Sequence, residues 1–223
     1  MGELNMELTK VSVITTTYNE EEYIGKLIKK IRSLNLNSYI IVVDDSSSDN
    51  TAKIAKRLSD KTIIKKREGQ TIGLWYGMLN SVSNIMVTID ADLENPPELI
   101  PTMINEFINN KCGVLIASRN NLPRISEKIS TKIFKKILNV DDIYSNFRVY
   151  SKDCLKDFNP KLGETFGLEF LLFLNKKRCK ICQIIYSPPP RRSNPRIGGK
   201  LKANMKAFYS TFKSLIGYLI YYS

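Results

Sequence analysis

Ile85-Met86-Val87-Thr88-Ile89-Asp90-Ala91-Asp92-Leu93-Glu94-Asn95-Pro96-Pro97-Glu98 runs from an apolar stretch through a set of acids to a proline pair. The first part reads as a buried strand. Asn95 with the prolines reads as a helix start, because proline is tolerated in a helix's first turn. Acids between a strand and the following helix lie in the crevice at the strand's carboxyl end, where open α/β sheets bind their ligands. On extended backbone Asp90 and Asp92 face the same side, and with Glu94 they offer hard oxygen ligands suited to Mg²⁺ or Mn²⁺ bridging phosphates. A loop whose acids merely cap the helix would carry the same pattern.

The same alternation extends outward in both directions. Val11 to Thr16 is β-branched, and Tyr23, Ile24, Leu27, Ile28 and Ile31 follow at helical spacing. Tyr39 to Val43 is a second strand ending in Asp44-Asp45, and Ser46 to Asp49 supply a loop and a cap before Ile54, Ala55 and Leu58. A strand at Thr62 to Lys65, a helix around Leu74 to Ser81, the helix from Pro96 and a strand at Val114 to Ala117 continue it. This order predicts an α/β fold, a mostly parallel, Rossmann-like sheet with helices on both faces. The first strand-to-helix turn, Thr16 to Glu22, contains no glycine, so it is not a pyrophosphate-cradling G-x-G-x-x-G turn, and no P-loop is present. Asp44 and Asp45 can accept hydrogen bonds from a base or ribose, or can serve turn chemistry alone.

Composition narrows the chemistry further. The 223 residues, 43% of them hydrophobic, suffice for a real core as one domain or a domain plus an appendage. There is no histidine, which excludes Ser-His-Asp triads, histidine bases and histidine metal sites. The net charge of +12 points to a polyanionic partner: nucleic acid, an anionic membrane surface or phosphorylated substrates. No nucleic-acid motif appears, and acids at strand ends repel phosphates unless a metal intervenes, so nucleic acid is not expected. Met1 to Leu8 does not read as a secretory leader, and an intracellular, reducing setting is expected. Cys112, Cys154, Cys179 and Cys182 are accordingly expected to be structural thiols. Cys179 and Cys182 lie in an alternating stretch, Cys179 to Tyr186, so their sulfurs point to opposite faces and cannot share a metal.

Past residue 120 the alternation weakens. Pro123 to Leu138 reads as a basic amphipathic helix, Phe147 to Tyr150 as a short strand and Phe166 to Asn175 as an apolar helix. Ser187 to Lys200, rich in proline, glycine and arginine, reads as a basic loop that can close over phosphates, or as a solvated linker. The reading therefore divides the chain into 1–200 and a C-terminal amphipathic helix, 201–223. Its stripe comprises Leu201, Met205, Phe208, Phe212, Leu215, Ile216 and Leu219, with Lys202, Lys206 and Lys213 beside it. Its apolar end is shorter than the ~20 residues that cross a bilayer. It can lie in a membrane interface or pack on the domain's own core.

In order and spacing, VSVITTTYNEEEYI, IVVDDSSSDNT, VTIDADLENPPE, ASRN and YSNFRVYSKD resemble family 2 glycosyltransferases with the GT-A fold, above all the dolichol-phosphate mannose synthases and related polyprenyl-phosphate hexose synthases. The likeness spans roughly residues 10 to 201. It implies a nucleoside site at Thr16, Tyr18, Glu20 and Asp44 or Asp45, with Gly73 and Ala91 also among the substrate-binding positions. It implies that Asp90, Asp92 and Glu94 hold a nucleotide-sugar diphosphate through Mg²⁺ or Mn²⁺, and that Arg119 and Arg148 are catalytic. Ser145, Arg192 or Arg196, and Lys200 are the remaining substrate positions. Thr16 stands where the family usually has proline, Glu94 where it has glutamine, Asn146 and Gly199 where it has glycine and serine.

The implied activity is metal-dependent, inverting transfer of a hexose from a nucleotide-sugar to a polyprenyl phosphate. GDP-mannose is the favoured donor and UDP-glucose the other. The enzyme would be peripheral on the cytoplasmic membrane face. An acceptor phosphate is already ionised and needs no base. A hydroxyl acceptor would need one, and Glu169 is the candidate. A catalytically silent nucleotide-binding module of the same fold is the remaining reading.

Overall fold

The computed structural model describes residues 9–189 and 199–222, apart from the side chains of 199–203. Seven strands alternate with helices: β1 (Val11–Thr17), α1 (Ile24–Arg32), β2 (Ser38–Asp44), α2 (Thr51–Leu58), β3 (Lys61–Ile64), α3 (Gln70–Leu79), β4 (Ile85–Thr88), α4 (Ile100–Asn109) and β5 (Val114–Arg119). There follow α5 (Ile125–Leu138), β6 (Arg148–Ser151), α6 (Leu168–Lys176), β7 (Ile181–Tyr186) and α7 (Gly199–Gly217). The sheet order is β3-β2-β1-β4-β6-β5-β7. All pairings are parallel except those of β6, which runs antiparallel to both β4 and β5. The strand order reverses beside β1 and β4, so the crevice above their carboxyl ends is the topological switch point.

Continuous apolar strands are needed because both sheet faces are covered. Val11, Val13, Ile40, Val42 and Val87 face a core completed by Leu27, Ile31, Ile100 and Phe107. Ile14, Ile41, Val43 and Met86 face the opposite core, built with Leu74, Met78, Phe134 and Phe170. Glycine permits the close approach of α3 to β1: a Cβ on Gly77 would lie 2.3 Å from Ile14 Cγ2, and one on Gly73 would lie 2.8 Å from Thr16 Cγ2. Gly73 thus serves the packing of α3 on β1.

The cysteines require a correction. Cys112, just before β5, and Cys182, in the neighbouring strand β7, form a disulfide between residues 70 apart in sequence. Sequence proximity drew attention to Cys179 and Cys182, whereas the parallel β5–β7 pairing that brings Cys112 to Cys182 is invisible without the sheet order. Closing so long a loop stabilises the fold by about 4 kcal/mol on the chain-entropy account. It also removes the free-thiol ground for a reducing compartment. Cys182 and Cys179 do pack toward opposite cores, as the alternation requires. Cys154 and Cys179 remain thiols, and burial, with a hydrogen bond donated to Cys154, pushes the Cys179 thiol up to about 12.

Helices α5 and α7 pack together with their polarity reversed. Their seam is polar: Ser126 Oγ donates to Asn204 Oδ1 at 2.6 Å, Ser130 meets Thr211 at 2.5 Å, and the Tyr144 hydroxyl meets Thr211 at 2.7 Å. Phe134 and Leu138 face the core, and a second set of apolar residues faces outward. Ile125 is 71% exposed, Phe212 63% and Leu219 66%, and Ile129, Ile133, Met205, Phe208 and Ile216 are also exposed. The C-terminal stripe is thereby divided: Leu215 packs against the domain core, while Met205, Phe208, Phe212, Ile216 and Leu219 do not. α7 is still fastened to the body, since Tyr222 donates to Glu169 at 2.7 Å and Lys213 donates to the Glu164 carbonyl at 2.7 Å. Among the described residues, no helix is long and apolar enough to cross a membrane.

Candidate active site

The acids after β4 do not lie on extended backbone. Leu93 has φ 60°, which turns the chain between Asp92 and Glu94, and the Glu94 amide donates to Asp92 Oδ1 at 3.0 Å. This Asx-type turn, rather than strand alternation, sets the direction of the carboxylates. Asp90 receives an amide on each oxygen: Gln70 Nε2 on Oδ1 at 2.6 Å and Asn95 Nδ2 on Oδ2 at 3.1 Å. Burial pushes the Asp90 carboxyl above its usual range, and the two amides act against that shift.

A 190 Å³ cleft opens between these acids and the end of β5, lined by Asp90, Glu94, Arg119, Tyr144, Ser145 and Pro188 among others. Arg119 is held in a bidentate pair with Asp142, Nε at 2.6 Å and Nη2 at 3.0 Å, and Nη2 also reaches Glu127 at 3.3 Å. Burial alone would lower its pKa, but the hydrogen bonds and charge of Asp142, with Glu127, raise it, so the cation is permanent. Acid on one wall and fixed cation on the other suit a metal–diphosphate group.

Arg148 is placed differently from the sequence expectation. It is fully buried, and it donates to the carbonyls of Ser145, Ile143 and Gly167 and to the Tyr150 hydroxyl. Because β6 is sandwiched between β4 and β5, its first side chain points into the turn at 143–147 rather than into the cleft. Arg148 therefore shapes the wall that carries Ser145 and does not touch a substrate in this arrangement. Ala91 is likewise buried. Glu169, the candidate base, is buried too, accepting from the Lys161 and Leu162 amides and from Tyr222. It is a structural anchor outside the cleft.

The nucleoside side of the crevice is assembled at the ends of β1, β2 and β3. Asp44 accepts from Thr17 Oγ1 at 3.0 Å and from the Ser47 amide at 2.9 Å; Asp45 pairs with Lys65 and accepts from the Glu68 and Gly69 amides. Both acids thus organise the loops around the site, and the turn-chemistry reading of this pair is the one their bonds match. Tyr18 is partly exposed at the rim, with the Arg67 guanidinium 3.9 Å over its ring and Nη1 bonded to its hydroxyl at 3.1 Å. Thr16 packs beneath it against Gly73, and the Glu20 amide is bound by Thr51 Oγ1 at 2.7 Å. Arg192 and Arg196 lie outside the described residues, as does the side chain of Lys200, which sits in the first turn of α7.

Among the described residues, no cluster of three or more acids and cysteines forms a closed metal cage. A Mg²⁺ or Mn²⁺ that completes its shell with substrate phosphates and water needs only one or two protein carboxylates. The turn at 92–94 presents two, beside a half-buried third, so the residues fit such an ion. Sequence reading missed Gln70, Glu127, Asp142 and Tyr186 as parts of the site and read Asn95 only as a helix start. Asp142, beside Asp141 in a region without periodicity, gave no signal of its own.

An α/β sheet with acids, a fixed cation and a rim tyrosine at its switch point has the layout of the GT-A fold. Residues 12–157 match the model of Glycosyl transferase family 2, and the chain belongs to that family. It is 32% identical over 215 residues to a dolichol-phosphate mannosyltransferase of Pyrococcus furiosus, covering 86% of this chain and 60% of the relative. An undecaprenyl-phosphate 4-deoxy-4-formamido-L-arabinose transferase of Proteus mirabilis is 37% identical over 109 residues, 44% of this chain and 33% of the relative. The chain thus spans well under two thirds of the length of these curated relatives. Glucosyl-3-phosphoglycerate synthase of Mycobacterium tuberculosis, solved with Mn²⁺ and UDP-glucose, superposes with a TM-score of 0.76 at 20% identity, covering 94% of this chain and 80% of that one.

Proposed function

We propose that this chain transfers a hexose from a nucleotide-sugar to a polyprenyl phosphate with inversion at the anomeric carbon, GDP-mannose being the favoured donor. The observation that carries the reading is the cleft itself, with Asp90 and Glu94 facing Arg119 beside a helix pair whose apolar residues point outward. The likeness to two polyprenyl- or dolichol-phosphate sugar transferases supports the acceptor, and that to the mannosyltransferase supports mannose. A divalent ion held by Asp92 and Glu94, with Asp90 behind them, would neutralise charge on the leaving diphosphate. Arg119 has Nε and Nη2 committed to Asp142, which fixes the plane of the guanidinium and leaves Nη1 to offer a phosphate oxygen. No base is required, because a phosphomonoester acceptor is ionised near neutral pH. Burial of Glu169 agrees with that. The test is a panel of GDP-mannose and UDP-glucose against polyprenyl phosphate and free polyprenol with Mn²⁺. Transfer to the phosphate with inverted configuration by NMR is expected. Equal transfer to the free alcohol, or retention, would refute the reading.

The same reading assigns the α5–α7 face to the membrane that holds such an acceptor. Ile125, Ile129 and Ile133 recur every fourth residue on α5, and Phe208, Phe212 and Ile216 are exposed on α7, a grouping of apolar side chains of the kind that marks an interaction surface. Lys128, Lys132 and Lys206 rim this face, each worth roughly 1 kcal/mol against anionic headgroups. The full chain is expected to float with anionic vesicles at low salt. Ile133→Ser with Phe212→Ser should weaken binding at least ~10-fold, since each loses about 1.5–3 kcal/mol of apolar burial. Point changes are preferable to removal of α7, because Tyr222, Thr211 and Lys213 fasten that helix to the body. Unchanged flotation of the double variant would remove this face from the membrane.

A further inference from the structure

Asp90 is held by neutral donors only, and their order runs across three elements. Gln70, in the first turn of α3, donates to Oδ1, and Asn95, in the turn before α4, donates to Oδ2. Beyond Asn95, the Tyr186 hydroxyl at the end of β7 donates to Asn95 Oδ1 at 2.5 Å. Asn95 and Tyr186 are buried, and the Tyr186 ring is fixed edge-on to Phe147, centroids 6.3 Å apart at 85°. Gln70 is fixed by its neighbour: Thr71 is buried, and its amide and hydroxyl both bind Glu164, at 3.2 and 2.7 Å.

The two ends of an asparagine amide are almost the same shape, so packing alone does not decide which faces Asp90. A carboxylate only accepts, so the amide nitrogen must face it, and the oxygen must then find a donor on its other side. Tyr186 is that donor. Without its hydroxyl the amide can turn over and set its carbonyl against Asp90, where two acceptors face each other and the carboxylate loses one of its two orienting donors. Amides also orient Asp90 without an ion pair, unlike the Asp142 pairing of Arg119 at the same cleft. The carboxylate is thereby aimed toward the cleft that it lines.

We propose that Tyr186 and Asn95 are positioning residues that set the orientation of Asp90 for the transfer reaction, Tyr186 acting only through Asn95. This rests on the transferase reading for its kinetic consequence, while the hydrogen-bond order stands independently of it. The test is a double-mutant cycle of Tyr186→Phe and Asn95→Leu, measured with the best donor at saturating Mn²⁺. Tyr186→Phe should lower kcat ~10-fold and Asn95→Leu ~30-fold or more, with donor KM within about threefold, since the nucleoside contacts at Tyr18 are on the other side of the crevice. The combined variant should be no slower than Asn95→Leu alone. Additive losses, or a Tyr186→Phe enzyme of wild-type kcat, would overturn the proposal. The second readout needs no turnover: in ¹⁵N spectra the Asn95 side-chain amide should show one slowly exchanging proton, lost in Tyr186→Phe. If the wild-type chain turns over no donor, the transferase reading fails and the amide signal alone decides. Its absence in the wild type, or its persistence in Tyr186→Phe, overturns the relay.

Discussion

Asp92→Asn is expected to lower transfer by at least ~100-fold, and EDTA to abolish it, in line with the loss of metal-mediated charge stabilisation of a leaving group. The substitution tests chemistry rather than folding. Asn can still accept the Glu94 amide bond that shapes the turn, now 3.0 Å long, and Leu93 keeps its left-handed conformation. What is lost is one unit of negative charge and one hard anionic ligand, beside a diphosphate that Asp90 and Glu94 would otherwise repel. Steady-state transfer measured across a Mn²⁺ series should show the loss at every concentration, with the melting temperature near wild type. Undiminished activity in EDTA, or an Asp92→Asn enzyme within about fivefold of wild type, would sink the metal-assisted mechanism and with it the role given to the three acids.

Most of the fold and part of the site were legible in the sequence, and the division follows range of interaction. The apolar runs at Val11 to Thr16, Tyr39 to Val43 and Ile85 to Ile89 specify buried strands locally, and all three lie where expected to within a residue or two. The acids at 90, 92 and 94 announced themselves because motif and strand end coincide. The geometry among those acids did not, since it comes from Leu93 at φ 60°. Arg148 was expected at the cleft and lies buried beside it, because a motif carries a residue type but not the direction of its side chain, and only the antiparallel insertion of β6 turns it inward. Asp142, Glu127 and Tyr186 join the site through partners 23, 8 and 91 residues away in sequence, Tyr186 by way of Asn95. The Cys112–Cys182 bond has the same origin, since it follows from strands that become neighbours only in the finished sheet. The outward apolar face of α7 was visible as a stripe, but which way the stripe faces depends on the polar seam with α5.

Arg119→Ala should have the largest compound effect. In the cleft it removes the fixed cation opposite Asp90 and Glu94, for which a loss of ~100- to 1000-fold in turnover is the order seen when one charge-stabilising donor is deleted. Below the cleft it leaves Asp142, wholly buried, with no guanidinium, and breaking one partner from a buried pair costs about 3–5 kcal/mol of stability. The two consequences separate in a second variant. Arg119→Ala combined with Asp142→Asn removes the stranded charge, and Asn Oδ1 still accepts the Tyr144 and Ser145 amides that now bind Asp142 at 3.2 and 3.0 Å. Stability should then largely return while turnover stays low. Arg119→Lys should fold well yet remain impaired, because an ammonium cannot bridge both carboxylate oxygens of Asp142 while facing a phosphate. Thermal melts and transfer rates on the three variants decide the matter. If the double variant regains turnover along with stability, Arg119 is only a strut for the 142–145 turn, and the cation that meets the diphosphate must be sought elsewhere on the cleft wall.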